Sequence, residues 1–246
     1  MNGYREQQTG CIEKQQVPSV MNEKSSPQLE FSEKYTAEHA EQYFSKHQQG
    51  FWRKLSNRRE IAIARKALKI AGNPVSVLDL PSGTGRFWEM LAENPERRIL
   101  AADYSENMLQ VAMQMRPDNI TQRIETFQCS AFDIPRPDNA VETIFCMRLL
   151  HHIGKADDRL ALFREFRRVA SKSICISLWV DGNNQARRRR RLESRRDPGK
   201  YQNRFVQPVS QVESEFRQAG LGIIDHVDFL KYQSMWRIYI LSTADG

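Results

Sequence analysis

Cysteine is scarce in this sequence: there are four among 246 residues, and none lies in a C-x-x-C or C-x-x-H pair. This spacing argues against a disulfide scaffold and a zinc ribbon, and it fits free thiols in a reducing compartment. Long apolar runs are also missing. The longest are of strand length, as at 174–180, far below the roughly 20 residues that span a bilayer. Because the N-terminus also lacks the apolar core of a signal peptide, we expect a cytoplasmic protein.

Most of the chain has almost no excess of positive over negative charge. The formal net charge is +7, but nine basic and three acidic residues lie between Asp181 and Phe205, so this segment alone carries +6. A wide basic face, typical of proteins that bind nucleic acid over their whole surface, is therefore not expected. The charge is concentrated around an uninterrupted arginine run, 187–191.

The N-terminal part of the chain differs in composition from the rest. Residues 1–30 are polar and contain few large apolar side chains, which predicts a flexible tail. Apolar residues at helical spacing predict two helices within 31–72, the second over 52–71 and ending at Gly72-Asn73-Pro74. These helices are expected to cover a pocket or to pack on the sheet described next.

From residue 73 onward, short apolar runs alternate with amphipathic stretches, which predicts one domain over 73–246 with a basic insertion at 181–205. The expected fold is α/β: a doubly wound, mainly parallel, seven-stranded sheet of the Rossmann-like type with helices on both faces. The last two strands follow each other without a helix, so the last strand is expected to be antiparallel. Strands are predicted at 75–80, 98–103, 124–129, 141–147, 173–180, 223–230 and 236–241, and helices at 87–92, 105–115, 157–170 and 210–219.

A glycine loop and a later acidic residue predict a binding site at the carboxyl edge of this sheet. The loop Asp79-Leu-Pro-Ser-Gly-Thr-Gly85 follows the first strand, and its glycines permit close approach of a ligand to the backbone. Asp103 ends the second strand, where a carboxylate can accept hydrogen bonds from both hydroxyls of a ribose. The simpler interpretations are a tight strand–helix turn for the glycines and a helix-capping acid for Asp103.

The loop does not match other nucleotide-binding loops. A nicotinamide site needs G-x-G-x-x-G, but Pro81, Gly83 and Arg86 occupy the three glycine positions. No phosphate-binding G-x-x-x-x-G-K-S/T motif is present. Asp79 would repel a pyrophosphate, whereas it suits a ligand with a cationic ammonium group.

Four stretches resemble the class I S-adenosylmethionine-dependent methyltransferases: VLDLPSGTGRF, AADYSENML, CSAFDIPRPDNAVETIFCMRLLHHI and QVESEFRQAGL. They run in the family's order over about 75–241 and are most similar to the small-molecule and lipid methyltransferases, which include quinone-biosynthesis enzymes. The resemblance implies S-adenosylmethionine as cofactor, and it implies cofactor-binding roles for Asp79, Ser82, Gly83, Gly85, Asp103, Tyr104, Met108, Ser130, Ala131, Phe132 and Arg148. The alternative for Tyr104 and Met108 is a purely structural role as core residues.

The sequence departs from the family pattern at two places. The usual first glycine of the loop is Pro81, which a turn without positive φ tolerates. The usual aspartate against the adenine amine is Ser130, so either this serine or Asp133 must take that role. These departures keep open a non-catalytic cofactor-binding protein on the same fold.

Adjacent histidines, His151 and His152, follow the fourth predicted strand at the rim of the expected pocket. Either could accept a proton from a hydroxyl or amine acceptor during methyl transfer, although a structural role for at least one is expected. No spacing indicates a metal site. The expected acceptor pocket lies between the N-terminal helices, the segment after His152 and the basic insertion.

The arginine run 187–191 has several interpretations. It is either a mobile solvated loop or a contact with an anionic acceptor, a phospholipid surface or RNA, since arginine suits phosphate in each case. The main prediction is methyl transfer to a small-molecule or lipid-like acceptor by in-line displacement. An RNA methyltransferase that uses this run is the alternative. Nothing in the sequence indicates the oligomeric state.

Overall fold

The computed structural model describes residues 51–195 and 204–244, with side chains from residue 54 onward. The predicted tail 1–30 and the first predicted helix lie outside these residues. The second N-terminal helix is α1, Phe51–Ile70. No helix in the described part of the chain is both long and apolar enough to cross a membrane.

The described chain forms one seven-stranded sheet in the order β3-β2-β1-β4-β5-β7-β6. The first five strands pair in parallel, while β7 is antiparallel to both β5 and β6, as predicted. The strands are β1 Ser76–Asp79, β2 Arg98–Asp103, β3 Ile124–Gln128, β4 Val141–Cys146, β5 Ala170–Trp179, β6 Gly222–Asp228 and β7 Trp236–Ser242. The helices after α1 are α2 Trp88–Leu91, α3 Glu106–Met115, α4 Asp118–Thr121, α5 Ala156–Val169, α6 Asn184–Glu193 and α7 Val209–Gln218, with a 3-10 turn at Leu150–His152.

Apolar side chains on alternate strand positions build two cores, one on each face of the sheet. On one face α1 packs its small residues Ala64 and Ala67, both fully buried, against the strands, together with Trp88 of α2. On the other face α5 and α7 meet through Phe163 and Phe216, whose ring centroids are 4.9 Å apart. Helices therefore cover both faces and leave the carboxyl edge of the parallel strands for a site.

A buried ion pair joins α5 to α7 within the second core. Arg159 donates two hydrogen bonds to Glu215, at 2.8 and 2.5 Å, and both side chains are almost fully buried. Arg159 also donates to the carbonyl oxygens of Ile153 and Gly154. Because these contacts satisfy both charged groups, removing either partner would leave an uncompensated charge in the core.

The arginine run 187–191 lies in helix α6, whereas one interpretation of the sequence was a mobile loop. Asn183 caps α6: its side chain accepts a hydrogen bond from the amide of Ala186 at 2.9 Å. The side-chain Nδ2 of Asn183 also donates to the carbonyl oxygens of Val180 and Asp181. The sequence pattern does not reveal this helix, since α6 has no apolar stripe; the side-chain cap before it is the one local signal.

Candidate active site

Asp79 lies at the end of β1 and is fully buried. Neither of its carboxylate oxygens has a hydrogen-bond partner among the described residues. Burial, together with the negative charge of Asp103, raises the pKa of Asp79 to about 8, although the neighbouring Ser82 and Trp88 side chains act to lower it. An unpaired buried carboxyl group is costly in a folded protein, which favours a role in binding a cation.

The two glycines after Asp79 have different structural roles, although both adopt positive φ angles, +55° at Gly83 and +66° at Gly85. A Cβ atom at Gly85 would lie 2.6 Å from the Trp88 ring, so Gly85 is required by packing. A Cβ atom at Gly83 would have no atom within 4 Å. The space beside Gly83 is therefore open to a ligand.

Ser82 stabilises the loop from inside. Its hydroxyl accepts a hydrogen bond from the indole of Trp88 at 2.8 Å, and its amide donates to the carbonyl oxygen of Ala102 at 2.8 Å. The residue is buried. The structure thus gives Ser82 a role in shaping the turn between β1 and α2.

Asp103 ends β2, as predicted, and its carboxylate is held by two backbone amides. One oxygen accepts from Gly83 at 2.8 Å and the other from Ser105 at 2.9 Å. Burial raises the pKa of Asp103 to about 6 despite these bonds. Ser105 stands at the N-cap of α3 without a capping hydrogen bond from its side chain, and Asp103 ties the end of β2 to the glycine loop and to this N-cap residue.

The residues expected near an adenine follow β2 and β3. Tyr104 is 38% exposed, whereas Met108 of α3 is buried. The Gln128 side chain donates to the carbonyl oxygen of Tyr104 at 2.8 Å and links the ends of the two strands. The ends of β2 and β3 therefore lie side by side.

The segment Ser130-Ala131-Phe132 is half-buried and forms its own turn. The hydroxyl of Ser130 accepts from the amide of Phe132 at 3.2 Å, and the Ser130 carbonyl oxygen accepts from the amide of Asp133. Asp133, the alternative partner for an adenine amine, is exposed. Both candidate polar groups lie in one turn next to the end of β3.

Glu60 of α1 connects the glycine loop to the segment after β4. It accepts two hydrogen bonds from Arg148, both 2.8 Å, and one from Arg86 at 2.7 Å. Arg148 adopts a φ of +67°, and its amide donates to the hydroxyl of Ser177 on β5. Sequence reasoning missed Glu60, because one acidic residue within a charged helix carries no local signal.

The two histidines differ in their surroundings. His151 is 4% exposed and stacks on Trp179, with ring centroids 4.6 Å apart, while Trp236 meets it edge-on. Burial and the positive charge of neighbouring groups lower the pKa of His151 to about 2. His152 is only half-buried. His151 therefore stays neutral at physiological pH.

A cavity of about 500 Å³ opens beside the Glu60 cluster. It lies between one face of α1, the segment after β4, the start of α6 and the loop that joins β6 to β7. Its walls are formed by Ser56, Glu60, Ile63, Met147, Arg148, Ser177, Asn184, Gln185, Arg188, Phe229, Leu230, Gln233, Ser234, Trp236, Arg237 and Ile238. Sequence reasoning did not assign the β6–β7 loop to any site.

The central part of the chain matches a known protein family. Residues 77–173 match the family described as "Methyltransferase domain". Demethylmenaquinone methyltransferase of Listeria welshimeri is 30% identical over 96 residues, and the same enzyme of Lactococcus lactis is 27% identical over 107. The matches cover 38% and 42% of this chain and 39% and 41% of the relatives, so the chain aligns with about two fifths of each relative.

The fold has solved counterparts as well. Magnesium protoporphyrin IX methyltransferase from Synechocystis, crystallised with bound S-adenosylhomocysteine, superimposes with a TM-score of 0.63 at 14% identity. That match covers 80% of this chain and 89% of the other. The superposition confirms the Rossmann-like fold that the sequence predicted, and the match over residues 77–173 agrees with the methyltransferase resemblance.

Proposed function

We propose that this chain, whose residues 77–173 match a methyltransferase domain, is an S-adenosylmethionine-dependent methyltransferase that transfers a methyl group to a small-molecule or lipid-like acceptor. The observation that carries the proposal is the buried carboxyl group of Asp79, which has no hydrogen-bond partner among the described residues and begins the loop that has open space at Gly83. A cationic ligand beside Asp79 would favour the ionised form of this carboxyl group, which burial alone disfavours.

The residues at the carboxyl edge of the sheet fit the cofactor. Asp79 would bind its ammonium group, and the backbone at Gly83 would approach its methionine part. Asp103, already oriented by two amides, would accept hydrogen bonds from the ribose hydroxyls.

The remaining expected contacts stay proposals of the same kind. Tyr104, Met108, Ala131 and Phe132 would surround the adenine, with Ser130 or Asp133 at its edge. Ser82 and Gly85 would act by shaping the loop, and Arg148 would lie beside the methionine part.

When bound, S-adenosylmethionine supplies an activated methyl group with a thioether as the leaving group. The protein therefore contributes mainly position and exclusion of water. The 500 Å³ cavity is the proposed acceptor site, since Glu60 lines it and also bonds to Arg86, which directly follows the glycine loop. The sequence predicted that the segment after His152 would line the acceptor pocket. In this cavity the β6–β7 loop forms the wall instead.

Where an acceptor must lose a proton, we propose His152 as the base. His151 is enclosed by Trp179 and Trp236, and its low pKa means that it holds a proton poorly. Of the two histidines, His152 is the one that is partly exposed.

Calorimetric titration with S-adenosylmethionine and S-adenosylhomocysteine, with NAD as a control, tests the proposal. Both sulfur ligands should bind and NAD should not. Asp103→Ala should weaken binding at least about tenfold, because charge-assisted hydrogen bonds contribute about 1.5–3 kcal/mol. Asp157→Ala removes the same charge from an exposed position on α5 and should leave affinity unchanged.

Absence of binding by either sulfur ligand would overturn the proposal and favour a protein that keeps only the fold. Binding with no transfer to any small acceptor, together with transfer to RNA, would favour the RNA methyltransferase instead. That alternative predicts RNA affinity that falls steeply with salt.

A further inference from the structure

We infer that Arg188 is an anion-binding residue of the acceptor cavity, and that the acceptor is an organic anion with an apolar body. The inference deepens the proposed function and rests on it, since it identifies the class of molecule that the cavity would present for methylation. It is carried by the charges, the apolar surface and the helix geometry of the cavity wall.

The cavity wall is electropositive. Three arginines and one glutamate line it, namely Arg148, Arg188, Arg237 and Glu60. Glu60 is already engaged by Arg148 and Arg86 through hydrogen bonds of 2.7–2.8 Å. The only carboxylate that the described residues contribute to the wall is therefore compensated, so a second anion in the cavity would meet net positive charge.

Two of the three arginines already form ion pairs with carboxylates of the protein. Arg148 binds the carboxylate of Glu60 in a bidentate manner. Arg237 donates to both oxygens of Asp228, at 2.7 and 3.2 Å, and to the Tyr239 hydroxyl. The side chain of Arg188 has no hydrogen bond or ion pair with any residue that the structure describes, and its guanidinium can therefore pair with an anion from outside.

The start of α6 sets the position of Arg188. The amide of Asn184 donates to the carbonyl oxygen of Tyr232, and the amide of Gln185 donates to that of Gln233, both at 3.0 Å. These bonds fix the helix against the β6–β7 loop. Because Asn184 and Arg188 are four residues apart, they share one helix face, and both line the cavity.

The other arginines of the run have different environments. Arg189 pairs with Glu193 and lies over the ring of Trp179, 4.7 Å from its centroid. Arg190 pairs with Asp181 at 2.8 Å. Arg187 is exposed and does not line the cavity, which makes it a natural control for Arg188.

The rest of the wall indicates what the anionic group is attached to. Phe229, Leu230 and Trp236 line the cavity together with Ile63 and Ile238. Such a surface accepts an apolar or aromatic body by burial of its area. An acceptor with a carboxylate, sulfonate or phosphate on an apolar framework matches both parts of the wall.

Two dyes with the same ring systems provide the test. 8-Anilinonaphthalene-1-sulfonate carries an anionic group, and N-phenyl-1-naphthylamine lacks it. Fluorescence titration should give tighter binding of the sulfonate to the unaltered full-length protein. Arg188→Ala should weaken sulfonate binding about tenfold and leave the neutral dye unaffected, while Arg187→Ala, with the same loss of charge, should change neither.

Equal losses of sulfonate binding in the two variants would overturn the inference, since they would mean general attraction of anions, including bilayers and RNA, to the whole run. A loss of both dyes in Arg188→Ala would also overturn it, because packing rather than charge would then be responsible. The titration needs no cofactor. The expected dye pattern in a protein that fails to bind S-adenosylmethionine would therefore refute the proposed function and leave the anion site standing.

Discussion

Binding of the cofactor should expel a proton from Asp79. The pKa of this buried carboxyl is raised from 3.8 to about 8 by desolvation, so about nine tenths of the molecules carry the proton at pH 7 without ligand. An ammonium group placed beside it favours the charged form and lowers its pKa. We therefore expect release of about 0.9 proton per cofactor bound at pH 7.

Two other groups contribute little to this count. Asp103, with a pKa raised to about 6 by burial, is only about one tenth protonated at pH 7 and releases at most ~0.1 proton. The α-amino group of the ligand, with an ordinary pKa near ~8, is mostly charged already and takes up about 0.1. These contributions nearly cancel, so the measured release reports on Asp79.

Calorimetric titration in two buffers with different ionisation enthalpies measures the released protons directly. Asp79→Asn should reduce the release to nearly zero and weaken cofactor binding. The reasoning is refuted if the unaltered protein binds the cofactor without proton release, or if the asparagine variant releases as much.

The same group makes a signed prediction for stability. Because the folded-state pKa of Asp79 lies above its unfolded value, the folded protein binds more protons between pH 3.8 and about 8. The unfolding free energy of the ligand-free protein should therefore fall as pH rises through that window. Asp79→Asn removes this penalty and should be more stable at pH 7, by up to about 4 kcal/mol, in denaturant titrations.

Further predictions concern the loop, the buried ion pair and the proposed base. Gly83→Ala should weaken cofactor binding and lower the free energy of unfolding by ~1–2 kcal/mol. Gly85→Ala should cost ~2–4 kcal/mol through its clash and positive φ; equal stability of the two variants in urea would contradict their assigned roles. Arg159→Ala should cost ~3–5 kcal/mol, while joint replacement of Arg159 and Glu215 by Met and Leu should cost much less; equal losses would show that the pair itself is not the cause. His152→Gln should abolish the acidic limb of the pH profile for transfer to a proton-bearing acceptor and leave cofactor affinity unchanged; an intact limb would exclude His152 as the base.

The sequence by itself determined the sheet and the loop that follows its first strand. Arg98–Asp103 is one apolar run that begins and ends where predicted, since a strand buried on both faces has a purely local signature. The alternation of such runs with helices also determines that strands are parallel and that their carboxyl ends share an edge. Asp79, Gly83 and Asp103 could be placed there from the sequence for that reason.

Only the tertiary structure decided which of these groups are charged, partnered or enclosed. The sequence presents the arginines 187–191 as equivalent, but their pairing depends on Asp181, Glu193 and Trp179, which the fold brings to separate sides of α6. It likewise presents His151 and His152 as alike. Burial and partners are sums over segments far apart in the chain, so pKa values and cavities depend on contacts that no local pattern contains.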